Sequence, residues 1–387
     1  MATPATSFDL VEDRATAKEV GIPWFLYGVL LASSCVIVGV IWDISWHRTI
    51  GRDTFWTPAH VAIYLGGVVA GLTCGWRALR ETFGGSPGDR AASVRFWGFS
   101  APLGAWVCIW GAFAMLTSAP LDDWWHNTYG LDVKILSPPH ALLAMGIGAI
   151  QYGAMLAALA WQNRSPSSNT QLSRLYLFGA SLLVVNVATI ASESLRRWQM
   201  HQSLFYQVAA GVFPFVLVSS ARAGRGRWPA TTVAFVYMVV TVAMIAVLPL
   251  FPGRPLLGPI FVHVDHFVPP EFPLLLFVPA VLVDLAMQRY GRGKDWRLSI
   301  LIAVAFLLAL LAAQWPFAEF LMTPWARNWF FVADRMPYAV SPIFQRRWYV
   351  LSPPDSLATG LSLALALAFV STRCGLWWGN WMSRVRR

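Results

Sequence analysis

Long apolar runs separated by short polar stretches organise this chain. Ten of them lie near 24–42, 58–79, 96–118, 138–161, 172–192, 202–220, 228–250, 271–290, 298–322 and 356–378. A spanning helix needs about 20 mostly apolar residues. The pattern therefore predicts an all-α fold, a polytopic integral membrane helical bundle of about ten transmembrane helices. The run at 202–220 is short, and the run at 271–290 carries Asp284. Residues 1–23 are polar and mixed in charge, without a cleavable signal pattern, and read as a cytoplasmic N-terminal segment. Segments 251–270 and 323–355 are rich in Pro and aromatics. They are expected to lie on the membrane surface as outer loops, the second with room for an interfacial helix. Residues 379–387 form a basic cytoplasmic tail.

Composition agrees with a lipid bilayer as the solvent. The 387 residues are 57% hydrophobic and 12% charged, against about 25% charged in soluble domains. Many of the 21 tryptophans sit at the ends of apolar runs, as in interfacial belts. With the N-terminus in the cytoplasm, 19 of the 29 Lys and Arg fall on the cytoplasmic side and 10 on the other. That bias puts both termini in the cytoplasm, as in a bacterial-type inner (plasma) membrane. It also accounts for the net charge of +10 without a nucleic-acid partner. In this orientation all seven histidines fall on the extracytoplasmic side. The four cysteines, Cys35, Cys74, Cys108 and Cys374, show no CxxC spacing or evident pairing. They read as small buried hydrophobes.

A motif is duplicated within residues 24–162, across the first four spans. Asp43, His47 and His60 recur, one residue longer, as Asp122, His126 and His140. The matched features continue through Gly51 and Gly130, Asp53 and Asp132, Thr57-Pro58 and Ser137-Pro138, and Gly66 and Gly146. Asp and His four apart share a helix face. Thr-Pro and Ser-Pro are helix starts, with a hydroxyl N-cap and proline at the first helical position. The last His of each copy then lies in the first turn of the next span, and three ligands can meet where one helix ends and the next begins. Two imidazoles and a carboxylate are a candidate metal site, and a cation relieves the cost of a carboxylate beside the bilayer. Asp53 and Asp132 are candidates for ligation or for holding an imidazole N–H. The bland alternative is an amphipathic interfacial anchor.

The remaining spans, 163–378, carry further candidates. His263, Asp265, His266 and Glu271 form a possible third metal site, or a hydrogen-bonded loop. Glu193, Glu319, Arg196 and Arg197 are candidates for pinning loops at span ends. Ser352-Pro353-Pro354-Asp355 reads as a helix start.

The first copy, with Trp46-His47-Arg48-Thr49, Arg52-Asp53-Thr54 and Thr57-Pro58-x-His60, resembles the metal-binding segment of the C subunit of the copper membrane monooxygenases, the particulate methane and ammonia monooxygenases. The resemblance covers roughly residues 40–150. That family uses Asp-x3-His-x12-His, matched by Asp43, His47 and His60, and a neighbouring Asn-x3-His-x13-His, matched in spacing by Asp122, His126 and His140. Asp122 departs from the family's Asn. The resemblance implies copper, dioxygen, a small apolar substrate reaching the site through the bilayer, and partner membrane subunits. The chain has no haem, iron–sulfur or dinucleotide motif, so electrons would come from a quinol or a partner. Trp42, Trp46, Trp56, Trp124 and Trp125 are expected to wall the site. Two other readings stand beside a monooxygenase subunit. One is a non-enzymatic copper-handling protein for uptake, storage or delivery, although no His or Met ladder leading inward is evident. The other is a structural subunit whose metal only pins helices. Other membrane subunits or a homo-oligomer are the expected partners. Zinc and iron fit the donor set as well as copper.

Overall fold

The computed structural model describes residues 21–130, 137–165, 169–341 and 351–387. Its helices are α1 (Trp24–Thr49), α2 (Pro58–Gly84), the short α3 (Pro87–Ala91), α4 (Leu103–Tyr129), α5 (Pro138–Arg164), α6 (Thr170–Ala191), α7 (Ser203–Ala223), α8 (Pro229–Val247), α9 (Phe277–Tyr290), α10 (Asp295–Leu321) and α11 (Pro354–Met382). Among the described residues, nine helices are long and apolar enough to cross a membrane. The molecule is an all-α bundle suited to a multi-pass setting in lipid. Its one two-stranded sheet is a hairpin, β1 (Val94–Phe96) against β2 (Phe99–Ala101). The turn uses Trp97 and Gly98, both at positive φ, as a two-residue hairpin turn requires. The hairpin takes the first residues of the run expected as a helix from 96, so α4 starts at Leu103.

Proline and glycine shape the duplicated half. Pro58 and Pro138 stand in the first turn of α2 and α5, where a missing N–H is harmless. The Ser137 side chain accepts from the His140 N–H as an N-cap. Thr57 does not cap in this way: its hydroxyl pairs with both the N–H and the carbonyl of Thr54, tightening the loop instead. Gly51 and Gly130 follow α1 and α4 with φ of 86° in both copies, a region that favours glycine. Gly66 lets α1 approach α2, since a Cβ there would lie 2.4 Å from Val36. Gly146 does the same for α4 and α5, where a Cβ would lie 2.7 Å from the Met115 nitrogen.

The run at 271–290 departs from a full helical span. Only Phe277–Tyr290 is helical, about 21 Å at 1.5 Å per residue, against a hydrocarbon core of about 30 Å. Residues 267–275 before it are without regular structure and mostly buried. Non-helical backbone at that depth needs every polar group satisfied. Three of these residues, Pro269, Pro270 and Pro273, have no N–H. Val268 donates to the Thr49 hydroxyl, Leu274 to Tyr237 and Leu275 to Gln314. The Val268 carbonyl accepts from Ser45, and that of Pro269 from Arg48. Asp284 in α9 is likewise consumed locally, accepting from the Ala230 and Thr231 N–H groups at the start of α8.

These contacts order the two ends of the bundle. At one end, the 251–270 loop sits on the C-terminus of α1, through Leu256 N–H to the Ile50 carbonyl. Arg197 ties in by donating to the carbonyls of Val332 and Arg335, the loop-pinning role expected of it. His201 and Ser352 bring the starts of α7 and α11 to the same end. At the opposite end Arg222 pairs with Asp295 at 2.7 Å and donates to Asn380, and Arg77 pairs with Glu81 at 2.6 Å. All seven histidines lie at the first end, and α7 runs parallel to α11, with Gly360 against Ser203 and Gly379 against Arg222. In 323–341 the only helical element is a single 3-10 turn, Pro324–Ala326, so no interfacial helix forms there. Residues 342–350 lie outside the described residues.

Candidate metal centres

The first centre assembles at the junction of α1 and α2. Asp43 and His47 lie one turn apart near the end of α1, and His60 is in the first turn of α2. His60 Nε2 is 3.1 Å from an Asp43 oxygen, and His47 Nε2 is 3.8 Å from the other. Asp53 enters from the intervening loop, with one oxygen 3.5 Å from both imidazole Nε2 atoms. The ligand atoms of Asp43, His47 and His60 lie within 4.8 Å of one another, near the separation of about 3.4 Å between donors around a tetrahedral ion, and Asp53 stands against both imidazoles beside this triad. The Nδ1 of His60 is 3.0 Å from the Thr54 carbonyl. A carbonyl only accepts, so Nδ1 carries a proton toward Thr54, and Nε2, against Asp43, is the nitrogen that would ligate a cation, as in metal-ligating histidines. The His47 imidazole against it, with the His60 ring nearby, holds the Asp53 carboxyl down at about 2.

The second centre repeats the arrangement between α4 and α5. Asp122 oxygens lie 3.5 Å from the Nε2 atoms of His126 and His140, and the two rings are 6.4 Å apart edge to face. His126 Nδ1 is 3.1 Å from the Gly130 carbonyl, which orients it as Thr54 orients His60. Asp123, adjacent in sequence, instead accepts from Asn127. Asp132 lies outside the described residues. Among the described residues, these two triads are the groups of three or more His, Cys, Asp or Glu whose ligand atoms gather within 4.8 Å.

The two centres are neighbours across the α2–α4 contact. Gly67 of α2 meets Met115 and Leu116 of α4, and Gly71 meets Ala112. Tyr64, one turn past His60, has its ring 6.0 Å from that imidazole and lies within electrostatic reach of Asp122, Asp43 and Asp53. The motif comparison missed Tyr64, because the second copy has Ala144 at the equivalent place; its i, i+4 relation to His60 was the available signal.

The third cluster does not assemble. His266 is held between Asp265, at 2.5 Å, and the Arg335 guanidinium, so both ring nitrogens are engaged. Glu271 accepts from the Arg197 N–H, and His263 is exposed. The hydrogen-bonded loop is the arrangement observed. The tryptophan wall is also incomplete. Trp42 and Trp46 pack on the core, but Trp56 and Trp124 are 73% and 52% exposed, as suits residues at a membrane interface. No family model, curated protein or solved structure matches this chain.

Proposed function

We propose that this chain is a copper-dependent membrane monooxygenase subunit, oxidising a small apolar substrate with dioxygen at paired His/Asp centres on the extracytoplasmic side of a bacterial-type inner membrane. One observation carries the reading. At two neighbouring places, two imidazole Nε2 atoms converge on carboxylate oxygen, with an imidazole of each pair turned by a carbonyl at its far nitrogen. Such nitrogen and oxygen sets suit copper, and the motif resemblance favours it over zinc or iron. Bound copper supplies the redox chemistry with dioxygen.

The chain's own contribution is placement and access. Asp43 and Asp53 balance the charge of a divalent ion at the first centre, and Asp122 balances part of it at the second. The carbonyls of Thr54 and Gly130 hold His60 and His126 in the ligating tautomer. An apolar groove of about 510 Å³ opens between α4 and α5 under the β-hairpin, lined by Phe96, Trp106, Trp110, Leu142 and Met145 among others. The groove lies along α4 and α5, the helix pair that carries the second centre, and gives an apolar substrate a seat on that pair. Monooxygenation converts RH and dioxygen, with two electrons and two protons, to ROH and water. A quinol or partner subunit is the donor class that supplies those electrons.

This reading includes ten crossings with both termini in the cytoplasm. The parallel run of α7 and α11 supports three crossings between them: α8, the extended segment with α9, and α10. The test is metal analysis on protein purified from its own membranes, with oxygen uptake driven by a reduced quinol. Two coppers per chain with nitrogen and oxygen neighbours, one lost in His47→Ala and the other in His126→Ala, with substrate-dependent oxygen uptake lost in both, is the expected result. Zinc at both centres and no oxygen uptake in native membranes would overturn it.

A further inference from the structure

We propose that Cys74 and Cys108 form a separate, buried site for a soft monovalent cation, with Cu(I) as the biological ion and Ag(I) as its mimic. This does not rest on the monooxygenase reading and involves none of its ligands.

The two cysteines come from different helices, α2 and α4, and meet inside the bundle. Both are free and buried. The α2–α4 register that sets Gly67 against Met115 and Gly71 against Ala112 brings Cys74 level with Cys108, and Cys108 donates to the Ile150 carbonyl at 3.4 Å. Two thiols at one level of an apolar seam, on facing helices, are the donor set of a two-coordinate d10 ion. Zinc takes four ligands, whereas soft thiolate and thioether donors select Cu(I).

The seam around them is patterned. On α2, His60, Gly67, Cys74 and Glu81 recur at every seventh position; on α4, Cys108, Met115 and Asp122 do the same. Seven residues are close to two helical turns, so each series forms one stripe. The stripes face each other in antiparallel order. Cys74 falls opposite Cys108 in this register, and the Met115 methyl lies over Gly67, where a Cβ would come within 2.4 Å of it. Cys74 lies about 21 Å along α2 from His60, and Cys108 about 21 Å along α4 from Asp122, at 1.5 Å per residue. Down this line the donors change from imidazole and carboxylate to thioether to paired thiol. That order is a gradient from borderline to soft ligands.

Charge selects the ion's valence. Burying net charge among apolar helices is costly. A monovalent ion that displaces one thiol proton leaves a neutral thiolate–metal–thiol unit: one S–H bond breaks, two metal–sulfur contacts form, one proton leaves to solvent, and no oxidation state changes. A divalent ion bound in the same way would leave a positive charge in the seam.

The experiment is anaerobic titration of the full-length, detergent-purified protein with Cu(I) against a chromophoric Cu(I) chelator, followed by X-ray absorption at the copper edge. The expected result is one Cu(I) with two sulfur neighbours in the wild-type protein and in Cys374→Ser. Cys74→Ser and Cys108→Ser should each remove the sulfur scattering and weaken Cu(I) binding by at least about 100-fold. The wild-type spectrum is decisive even if a variant folds poorly. Absence of sulfur neighbours in the wild type, their survival in both serine variants, or isolation of the pair as a disulfide would each overturn the proposal. The outer centres contribute only nitrogen and oxygen scattering, so the two proposals fail independently.

Discussion

Around the first centre, Asp43 and Asp53 both reach His47 and His60. Around the second, among the described residues, Asp122 reaches His126 and His140, and Asp132, the counterpart of Asp53, lies outside the described residues. The same helix–loop–helix plan serves both centres, with a difference in which imidazole the backbone orients. The Thr54 carbonyl meets Nδ1 of the last histidine, His60, at the first, and the Gly130 carbonyl meets Nδ1 of the first histidine, His126, at the second. The duplication fixes geometry through its glycines, prolines and histidine spacing, and leaves the orientation of the imidazoles to the loop backbone.

The largest expected effect comes from taking one imidazole out of either centre. His60→Ala should abolish one of two metal equivalents and leave the other, and His140→Ala should do the reverse, as read by metal content after dialysis. Loss of both ions in either variant would mean that the centres do not load separately. Next is Asp53→Asn. It should weaken the first ion by about 10- to 100-fold, the range seen when groups supporting a metal site are altered, and leave the second unchanged in a chelator competition. Asp53 is already ionised well below neutral pH, so acidification should release metal through protonation of the imidazoles, with Asp53 still charged. Asp122→Asn alters a triad ligand and should weaken the second ion by at least a comparable factor, about 10- to 100-fold, with the first ion unchanged. Loss at the first centre as well would mean that the two centres are not independent.

The smallest effects concern the matched glycines. Gly130→Ala should cost about 1–3 kcal/mol for the backbone alone, because φ 86° with ψ −174° is a region nearly exclusive to glycine, and a Cβ there meets nothing within 4 Å. Gly51→Ala should cost more, because its Cβ would lie 2.0 Å from the Tyr338 hydroxyl. Thermal melting of the two variants ranks them. Equal shifts would show that the Tyr338 contact yields easily.

Much of this was legible in the pattern of residues. Apolar run length located nearly every span, because in lipid a helix satisfies its own backbone. The repeated Asp–His–His spacing located both centres, because i, i+4 and a first-turn histidine are local geometry. What was not legible depends on partners remote in sequence. The extended path through 267–275 exists only because Thr49, Tyr237 and Gln314 complete its hydrogen bonds. The His263 cluster failed as a centre because Arg335, about seventy residues away, occupies His266. Cys74 and Cys108 looked unrelated, although the seven-residue recurrence that joins them to His60 and Asp122 was present on both helices. Asp53 reached further than expected: it faces both imidazoles directly.

The extended path into α9 carries a consequence for biosynthesis. With four prolines, two carboxylates and only fourteen helical residues over 267–290, it has little affinity for lipid by itself and offers the insertion machinery a weak signal. Its hydrogen-bond acceptors belong to α1, α8 and α10, so it must wait at the membrane surface until α10 has been synthesised, and enter together with it. Chains truncated just after Tyr290 should leave that segment outside the bilayer.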